Sequence, residues 1–283
     1  MPLPSLLGAH ISIAGGTALA PPRAGVIAAS AMQIFTKQAN RWAERECVDY
    51  ECRAFREALA RTEVAFTNAH DSYLINLASP DPVLRARSLE SFAGELARCE
   101  ALGLDALVSH PGNFMDDREA GIARNADAVT EALERVGGRT RLLLETTAGS
   151  GTALGATFEE LAAIIARVGA AVRSRVGVCV DTAHIFAAGY DLVNDYDGVW
   201  SRFDDVLGFT SLGVMHLNDS KAPFDSRKDR HELIAEGAIG EMPFRRIMTD
   251  PRLASVPKVI ETPKIEEEVT DRLMLERLRG YMA

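Results

Sequence analysis

The sequence lacks the features that mark membrane, secreted and redox proteins. No apolar run approaches the roughly 20 residues that a membrane-spanning helix needs. The four cysteines, Cys47, Cys52, Cys99 and Cys179, include no C-x-x-C pair, which argues against a disulfide framework and against a thiolate zinc site. The segment MPLPSLLGAHIS has no basic region and no small-residue cleavage site. We therefore predict no secretory signal and a cytoplasmic location.

Positive charge is also in short supply. Lysine and arginine number 31 against 40 aspartate and glutamate, which gives a formal net charge of −9. Because most nucleic-acid-binding proteins present a basic face, this balance argues weakly against a polyanionic partner. Linkers, low-complexity tracts and sequence repeats are missing too. A chain of 283 residues can form one large α/β domain, so we predict a single domain over residues 1–283.

Eight short apolar runs alternate with longer helical patterns along the chain. The runs begin at Leu6, Ala31, Val64, Ala106, Arg141, Val176, Leu212 and Lys258. Near-continuous apolar strands alternating with helices indicate a parallel sheet that is covered on both faces. Eight such units favour a (β/α)8 TIM barrel, an α/β fold whose active site lies at the C-terminal ends of the strands. A doubly wound open sheet, which usually has fewer strands, is the alternative.

Two helices have clear boundary signals. Asp81 followed by Pro82 predicts an N-cap with proline in the first helical position, and Gly103 predicts the end of the same helix. Residues 157–160, with the sequence TFEE, form a capping-box pattern that predicts a helix over the apolar residues that follow.

Residues of the types that bind metals recur where six of the eight apolar runs end. They are His70, His110, Glu145, Asp181 with His184, His216 and Glu261, and Asp229 and His231 follow in the loop after the seventh run. Singly, such a histidine is more often a hydrogen-bonded structural residue, and an acidic residue often caps the next helix. Nine of them delivered to one rim of a barrel predict a metal site.

The ligand types indicate which metal this site would bind. Imidazole with carboxylate and without thiolate suits zinc or manganese, and the high share of histidine favours zinc. A catalytic zinc takes about three protein ligands, so nine ligands with one bridging carboxylate would serve three ions. Three divalent ions would change the formal charge from −9 to −3 and concentrate the added charge at one face. The acidic composition therefore does not exclude a phosphate substrate.

Several segments resemble the endonuclease IV family of apurinic/apyrimidinic endonucleases. They are HDSYLINL (70–77), SHPGN (109–113), VGVCVDTAHIFAAGYDL (176–192), MHLNDSK (215–221), SRKDRHE (226–232), EGAIG (236–240) and the IET that ends at residue 262. The resemblance implies a TIM barrel with three zinc ions per chain. Its expected partner is duplex DNA with abasic sites or 3′ blocking groups, cut on the 5′ side of the abasic nucleotide to leave a 3′-hydroxyl and a 5′-deoxyribose phosphate.

The resemblance also assigns the ligands. The first zinc would bind His70, His110 and Glu145. Glu145 would also bridge to the second zinc, which would take Asp181, His216 and Glu261. The third zinc would bind His184, Asp229 and His231. A hydroxide shared by two of the ions would be the nucleophile, since metal binding lowers the pKa of water. Glu145 and Glu261 are the candidate catalytic residues, and we expect Glu261 to orient or deprotonate the nucleophile.

Two loops are candidates for opening the DNA at the lesion. The segment FTKQANRW (35–42) follows the second run, and the resemblance places it in the minor groove with the Tyr-Leu pair of HDSYL. The predicted DNA-binding residues are Lys37, Asn40, Arg41, Tyr73 and Leu74. At Asn40 and Arg41 the chain departs from the arginine-then-glutamine of the family, so the residue that intercalates stays open between these two.

Two other functions remain open from the sequence. A xylose isomerase-like TIM-barrel sugar isomerase would need about four ligands for one or two Mn²⁺ or Mg²⁺ ions, which leaves the Asp229-x-His231 pair and the Tyr73-Leu74 pair unexplained. A metal-stabilised module that binds lesions without cutting them is the non-enzymatic alternative. We expect a monomer, since the rim has to admit duplex DNA.

Overall fold

The computed structural model describes residues 6–282. Residues 1–5 and residue 283 lie outside that range. They include the start of the segment in which no secretory signal is predicted and both ends of the predicted 1–283 domain. The strands are β1 (Leu7–His10), β2 (Ala31–Phe35), β3 (Phe66–His70), β4 (Ala106–Ser109), β5 (Arg141–Glu145), β6 (Val176–Asp181), β7 (Leu212–Leu217), β8 (Asp219–Ser220), β9 (His231–Glu232) and β10 (Lys258–Ile260). The helices are α1 (Ala20–Val26), α2 (Asp49–Leu59), α3 (Pro82–Leu102), α4 (Arg118–Arg135), α5 (Phe158–Arg167), α6 (Thr182–Ala187), α7 (Tyr196–Val206), α8 (Glu241–Thr249) and α9 (Glu267–Gly280).

Eight of the strands close into a parallel barrel, which confirms the predicted TIM fold. The order around the barrel is β1-β10-β7-β6-β5-β4-β3-β2, and β8 pairs with β9 in a separate antiparallel ribbon. Because every barrel strand points the same way, all eight C-terminal ends meet at one rim. Within the described residues, no helix is long and apolar enough to cross a membrane.

The predicted helix signals act as expected, with one difference. The Asp81 carboxylate accepts hydrogen bonds from the backbone N–H groups of Val83 and Leu84, and Gly103 ends α3 in the left-handed conformation with φ of 80°. Thr157 caps α5 by accepting from the N–H of Glu160. The Glu160 carboxylate instead accepts from the N–H groups of residues 155 and 156, so only half of the capping box forms.

Side chains alternate between two apolar layers. The larger layer fills the space between the barrel and the helices, and a smaller one fills the barrel interior, lined by Ala31, Ala106, Val108, Leu143, Cys179, Val214 and Val259. Cys99 and Cys179 are buried free thiols. Cys47 and Cys52 are joined in a local disulfide at the start of α2, a pairing that the sequence analysis did not predict.

Candidate metal centre on the barrel rim

The nine predicted ligand residues all lie at the C-terminal rim of the barrel. His70, Glu145 and Asp181 are the last residues of β3, β5 and β6. His110 and Glu261 directly follow β4 and β10, and His216 is the penultimate residue of β7. His184 projects from α6, Asp229 lies in the loop after β8, and His231 begins β9.

Glu145 is the centre of this cluster. Its Oε2 atom lies 3.0 Å from His70 Nε2 and 3.1 Å from His110 Nε2. Its Oε1 atom lies 2.9 Å from His216 Nδ1 and 3.4 Å from His184 Nδ1. Glu261 joins the same group, because its Oε2 atom is 3.2 Å from His216 Nδ1. One carboxylate therefore contacts imidazoles from four different strands or their following loops, as a bridging ligand would.

A second group lies beside it and contains the residues expected for a third ion. Asp229 approaches His184 Nε2 at 3.2 Å and His231 Nε2 at 3.3 Å. Asp181 also faces this group, at 3.6 Å from His231 Nε2. Candidate ligand atoms of Asp181, His184 and His231 all lie within 4.8 Å of one another. Asp181 therefore stands between the second and third predicted ligand sets.

Several of the predicted ligand side chains are held by hydrogen bonds to the protein around them. His70 Nδ1 lies 2.9 Å from the Asp71 carbonyl, and His184 Nδ1 lies 2.8 Å from the Thr146 carbonyl. The Asn218 side chain donates to Asp181 Oδ2 at 2.6 Å and accepts from the N–H of Glu261 at 2.9 Å. Hydrogen bonds of this kind orient metal ligands. Asn218 thus holds the Asp181 carboxylate and the backbone of Glu261 in place together.

Two polar residues near the ligands were missed by the sequence analysis. Gln33 and Asn68 point into the barrel from β2 and β3, and both are fully buried. The Gln33 side chain donates to Glu261 Oε1 at 2.5 Å and lies 2.7 Å from His216 Nε2. Each of them stands inside an apolar run, Gln33 in AMQIF and Asn68 in VAFTNAH. That position was the available signal, because a buried amide needs hydrogen-bond partners.

The cluster concentrates opposite charges in a buried space. Burial alone would lower the pKa of His70, but the hydrogen bond and charge of Glu145 outweigh it and raise that pKa to about 10. Burial would raise the pKa of Glu145, yet His216 and His110 hold it well below its usual range. The pKa of Asp229 falls to about 2 because its contacts with His184 and its proximity to His231 outweigh the effect of burial. Protons on imidazole therefore balance these carboxylates.

Two ring nitrogens in the cluster face carboxylate oxygens at 3.1 and 3.3 Å but make no well-aligned hydrogen bond among the described residues. They are His110 Nε2 and His231 Nε2, and both are buried. A buried polar atom without a well-formed hydrogen bond is costly, and imidazole nitrogen is a good ligand for divalent ions. Cys179 Sγ also lies within 4.8 Å of candidate ligand atoms of Glu145 and His216. Burial raises the pKa of this thiol to about 12, which favours its neutral form.

Seven of the nine predicted ligands, all except Asp181 and His216, line an open cavity of about 440 Å³ whose wall also includes Phe35 and Tyr73. Tyr73 is 68% exposed and contacts Phe35 edge-on, with ring centroids 5.5 Å apart. Leu74 beside it is half-buried. Tyr73 therefore stands at the mouth of the cavity, next to the predicted ligand His70.

The loop after β2 reaches the same rim. Asn40 and Arg41 are exposed. The Ser72 hydroxyl donates to the carbonyl of Ala39 at 2.6 Å and so joins this loop to the Tyr73 loop. Trp42 lies under the guanidinium of Arg87, 4.4 Å from the ring centroid. Trp42 thus anchors the loop, while Asn40 and Arg41 stay accessible.

Lys37 is a correction to the predicted DNA-binding residues. Its side chain is buried, and its ammonium donates to the Glu44 carboxylate and, at 2.9 Å, to Ser91 Oγ of α3. Arg98 of α3 binds the other oxygen of Glu44 at 2.8 Å. Lys37 therefore fastens the base of the loop to α3 and does not face a DNA backbone.

Comparison with known proteins gives consistent matches along the chain. The family model described as a xylose isomerase-like TIM barrel matches residues 25–278. A probable endonuclease 4 of Chloroflexus aurantiacus is 45% identical over 279 residues, which cover 97% of each chain. The crystal structure of endonuclease IV from Thermus thermophilus aligns with a TM-score of 0.87 at 36% identity, over 98% of each chain. A putative xylose isomerase from Rhodospirillum rubrum, at 12% identity and a TM-score of 0.73, shares the fold alone.

Proposed function

The chain belongs to the endonuclease IV family of TIM-barrel apurinic/apyrimidinic endonucleases, and from this membership we propose that it cuts duplex DNA beside abasic nucleotides. The bond hydrolysed is the phosphodiester on the 5′ side of the lesion, and the products are a 3′-hydroxyl and a 5′-deoxyribose phosphate. DNA with 3′ blocking groups is the second proposed substrate. We propose that the enzyme acts as a monomer in the cytoplasm.

One observation carries this proposal. The Glu145 carboxylate sits among four histidines at the bottom of an open cavity whose mouth carries Tyr73. Phosphodiester cleavage needs concentrated positive charge to stabilise the phosphoryl oxygens and the departing oxygen. A carboxylate-histidine cluster that binds several divalent ions supplies such charge in a place that a distorted DNA backbone can reach.

The donor set of the cluster fits zinc. His70, His110 and Glu145 would hold one ion, Glu145, Asp181, His216 and Glu261 a second, and His184, Asp229 and His231 a third. The buried Nε2 atoms of His110 and His231 face the Glu145 and Asp229 carboxylates without a well-aligned hydrogen bond, and a metal ion between each nitrogen and its carboxylate would bind both. When bound, ions of this kind polarise phosphoryl oxygens and lower the pKa of water.

The protein side chains would orient the reacting groups. Glu261 lies in the cavity wall with its side chain 19% exposed, and Gln33 holds one of its oxygens, which leaves the other facing His216. We assign to Glu261 the orientation or deprotonation of the attacking water. Asn218 and the Asp71 and Thr146 carbonyls keep the ligands in place before substrate binds, so little reorganisation is needed during the reaction.

The rim loops would open the DNA at the lesion. Enzymes that act on one nucleotide of a duplex rotate it out of the base stack. Tyr73 and Leu74, on the loop tied to Asn40 and Arg41 through the Ser72 hydrogen bond, are the side chains we propose to occupy the space that the nucleotide leaves. An abasic nucleotide costs least to rotate out, because it has no base to unstack.

Cleavage of a duplex with one abasic-site analogue tests this function. We expect a single cut immediately 5′ to the site, lost after treatment with a chelator and restored by zinc. Tight binding without cleavage by zinc-replete protein would instead support the lesion-binding module. No binding and no cleavage, with one or two Mn²⁺ or Mg²⁺ ions per chain, would support the sugar isomerase.

Replacing Glu261 by glutamine tests its catalytic role. The variant keeps the shape of the side chain but removes the carboxylate that would accept a proton. We expect single-turnover cleavage to fall by about 10²- to 10⁴-fold, the usual contribution of a general base, when enough free zinc is supplied to saturate the variant. Glu236→Gln, at an exposed carboxylate paired with Arg277, is the control and should cut at the normal rate. Near-normal cleavage by zinc-replete E261Q would contradict the assignment.

Replacing Tyr73 by alanine tests the rim wedge. Stacking of an aromatic side chain on a base is worth about 1–3 kcal/mol, so we expect the affinity for abasic duplex to fall by the equivalent factor. Tyr50→Ala is a matched control, because Tyr50 is 72% exposed but does not line the cavity. Equal affinities of Y73A, Y50A and unmodified protein in a fluorescence anisotropy titration would exclude the wedge.

Metal binding should release protons. Since Glu145 raises the pKa of His70 to about 10, the imidazole is protonated at pH 7 and has to lose its proton to bind an ion. Apparent zinc affinity should therefore rise as the pH increases toward 10. Without metal, the stability of the fold should change with pH in the opposite direction. The stabilisation from the raised pKa of His70 is complete below pH 6.5 and is lost as the pH rises through 10. Calorimetric titrations in buffers of different ionisation enthalpy measure the released protons, and buffer-independent heats would contradict this prediction.

A further inference from the structure

The hydrogen bonds of His216 differ from those of the other site histidines. His70 and His184 place Nδ1 against the carbonyls of Asp71 and Thr146, and His231 Nδ1 lies 3.3 Å from the Glu261 carbonyl. Each of these rings is thus held through Nδ1 by the main chain. His216 is turned around: its Nε2 is held, and its Nδ1 faces Glu145 and Glu261.

The group that holds His216 is the side chain of Gln33. Gln33 Oε1 lies 2.7 Å from His216 Nε2, and it also accepts a hydrogen bond from the amide nitrogen of Asn68. Gln33 Nε2 donates to Glu261 Oε1 at 2.5 Å and lies 3.0 Å from His10 Nδ1. The amide thus makes all four of the hydrogen bonds available to it, in a position with no solvent exposure.

The partners determine which way round the amide lies. The two ends of a glutamine side chain are assigned from the groups they face. The Glu261 carboxylate only accepts hydrogen bonds when ionised, so the nitrogen of Gln33 faces Glu261 and the oxygen faces His216. An amide oxygen accepts, and His216 Nε2 therefore carries a hydrogen. Nδ1, which faces the Glu145 and Glu261 carboxylates, is then the nitrogen that can give up its proton and offer a lone pair to a metal.

We infer that Gln33 is a positioning residue for the metal centre, because it sets the ring orientation of His216 and the carboxylate orientation of Glu261 together. These are two of the ligands assigned to the second ion, so the inference rests on the proposed function. One oxygen of Glu261 is held by Gln33 and the other faces His216 Nδ1 at 3.2 Å. The carbonyls that hold the other histidines belong to the main chain and cannot be removed by mutation. The hydrogen bonds of Gln33 can be removed by replacing this one side chain.

Zinc retention tests the inference without reference to activity. Gln33→Met keeps the approximate volume and removes all four hydrogen bonds, and Gln33→Ala leaves space that a water molecule can enter. Met32→Leu is the matched control, since Met32 is equally buried on β2 but packs in the layer between barrel and helices. Zinc-loaded proteins are dialysed against buffered free zinc, and metal per chain is measured by mass spectrometry.

We expect both Gln33 variants to bind about one zinc per chain more weakly by about 10- to 100-fold, the usual cost of removing a group that orients a ligand. They should therefore lose this zinc at free zinc concentrations that are higher by the same factor than those at which the unmodified protein loses it. M32L should retain zinc normally. Far-ultraviolet circular dichroism checks that each variant folds, and Q33A replaces Q33M if the latter does not. Identical retention by the folded variant and M32L would overturn the inference.

The possible outcomes distinguish a failure of this inference from a failure of the proposed function. If unmodified protein retains zinc but does not cut abasic DNA, the proposed function fails while the retention of the Gln33 variants still decides the role of Gln33. If unmodified protein cuts abasic DNA and the Gln33 variants retain zinc normally, the inference alone fails. Unmodified protein that retains no zinc would overturn both.

Discussion

Replacing Glu145 by glutamine is expected to reduce cleavage of abasic DNA by at least about 10³-fold, near the upper end of what the loss of one group that stabilises charge costs. Glutamine has the size of glutamate but lacks its charge. Its amide nitrogen would face either His216 and His184 or His70 and His110. Two of these four histidines would lose an acceptor, and two proposed ions would lose their shared ligand.

The expected loss has a second signature besides rate. Because Glu145 is assigned to two ions, E145Q should contain fewer zinc ions per chain, whereas E261Q removes a ligand of one ion. Glu131→Gln, at an exposed position of α4, controls for the change of residue type. Metal content and single-turnover cleavage are measured on the same preparations. An E145Q variant that keeps all its zinc and cuts at the normal rate would contradict the bridging role.

Replacing Gly8 by alanine is expected to destabilise the barrel by more than about 4 kcal/mol, the range reached by severe core overpacking or backbone disruption. Gly8 pairs with Ala31 between β1 and β2, and a Cβ atom at position 8 would lie 1.6 Å from the Ala31 carbonyl oxygen. That oxygen belongs to the backbone of a paired strand and cannot move aside like a flexible side chain. The barrel would have to open between β1 and β2.

Gly25→Ala is the matched control for this change. Gly25 is exposed in α1, and a Cβ atom there would have no neighbour within 4 Å. Alanine in a helix is favoured over glycine by roughly 0.5–1 kcal/mol, so G25A should melt at or slightly above the normal temperature. Thermal unfolding followed by circular dichroism compares the two variants, and a normal melting temperature for G8A would show that the strands are less tightly apposed than described.

The barrel and the position of the ligands were predictable because both depend on local patterns. Apolar runs alternating with helices indicate parallel strands, and parallel strands deliver their last residues to one rim. His70, Glu145 and Asp181 are therefore brought together by topology, although they lie far apart in the chain. Asp81 and Gly103 mark the ends of α3 for a similar reason, since helix capping depends on neighbouring residues.

The residues that were missed or misassigned depend on distant partners. Lys37 lies in a basic segment between aromatic residues, which favours a DNA contact, but its partner Ser91 is 54 residues away. Gln33 stands out as a polar residue in an apolar run, yet its partner Glu261 is 228 residues away. The sequence marks such residues as unusual, and only the folded chain shows which groups they bind.

Anomalous diffraction at the zinc edge, from crystals of chelated and then zinc-reloaded protein, tests the central claim most directly. The account predicts peaks that appear on reloading at three positions, two of them within coordinating distance of Glu145 and the third between His184, Asp229 and His231. Reloaded crystals with no peak near Glu145 would contradict the account.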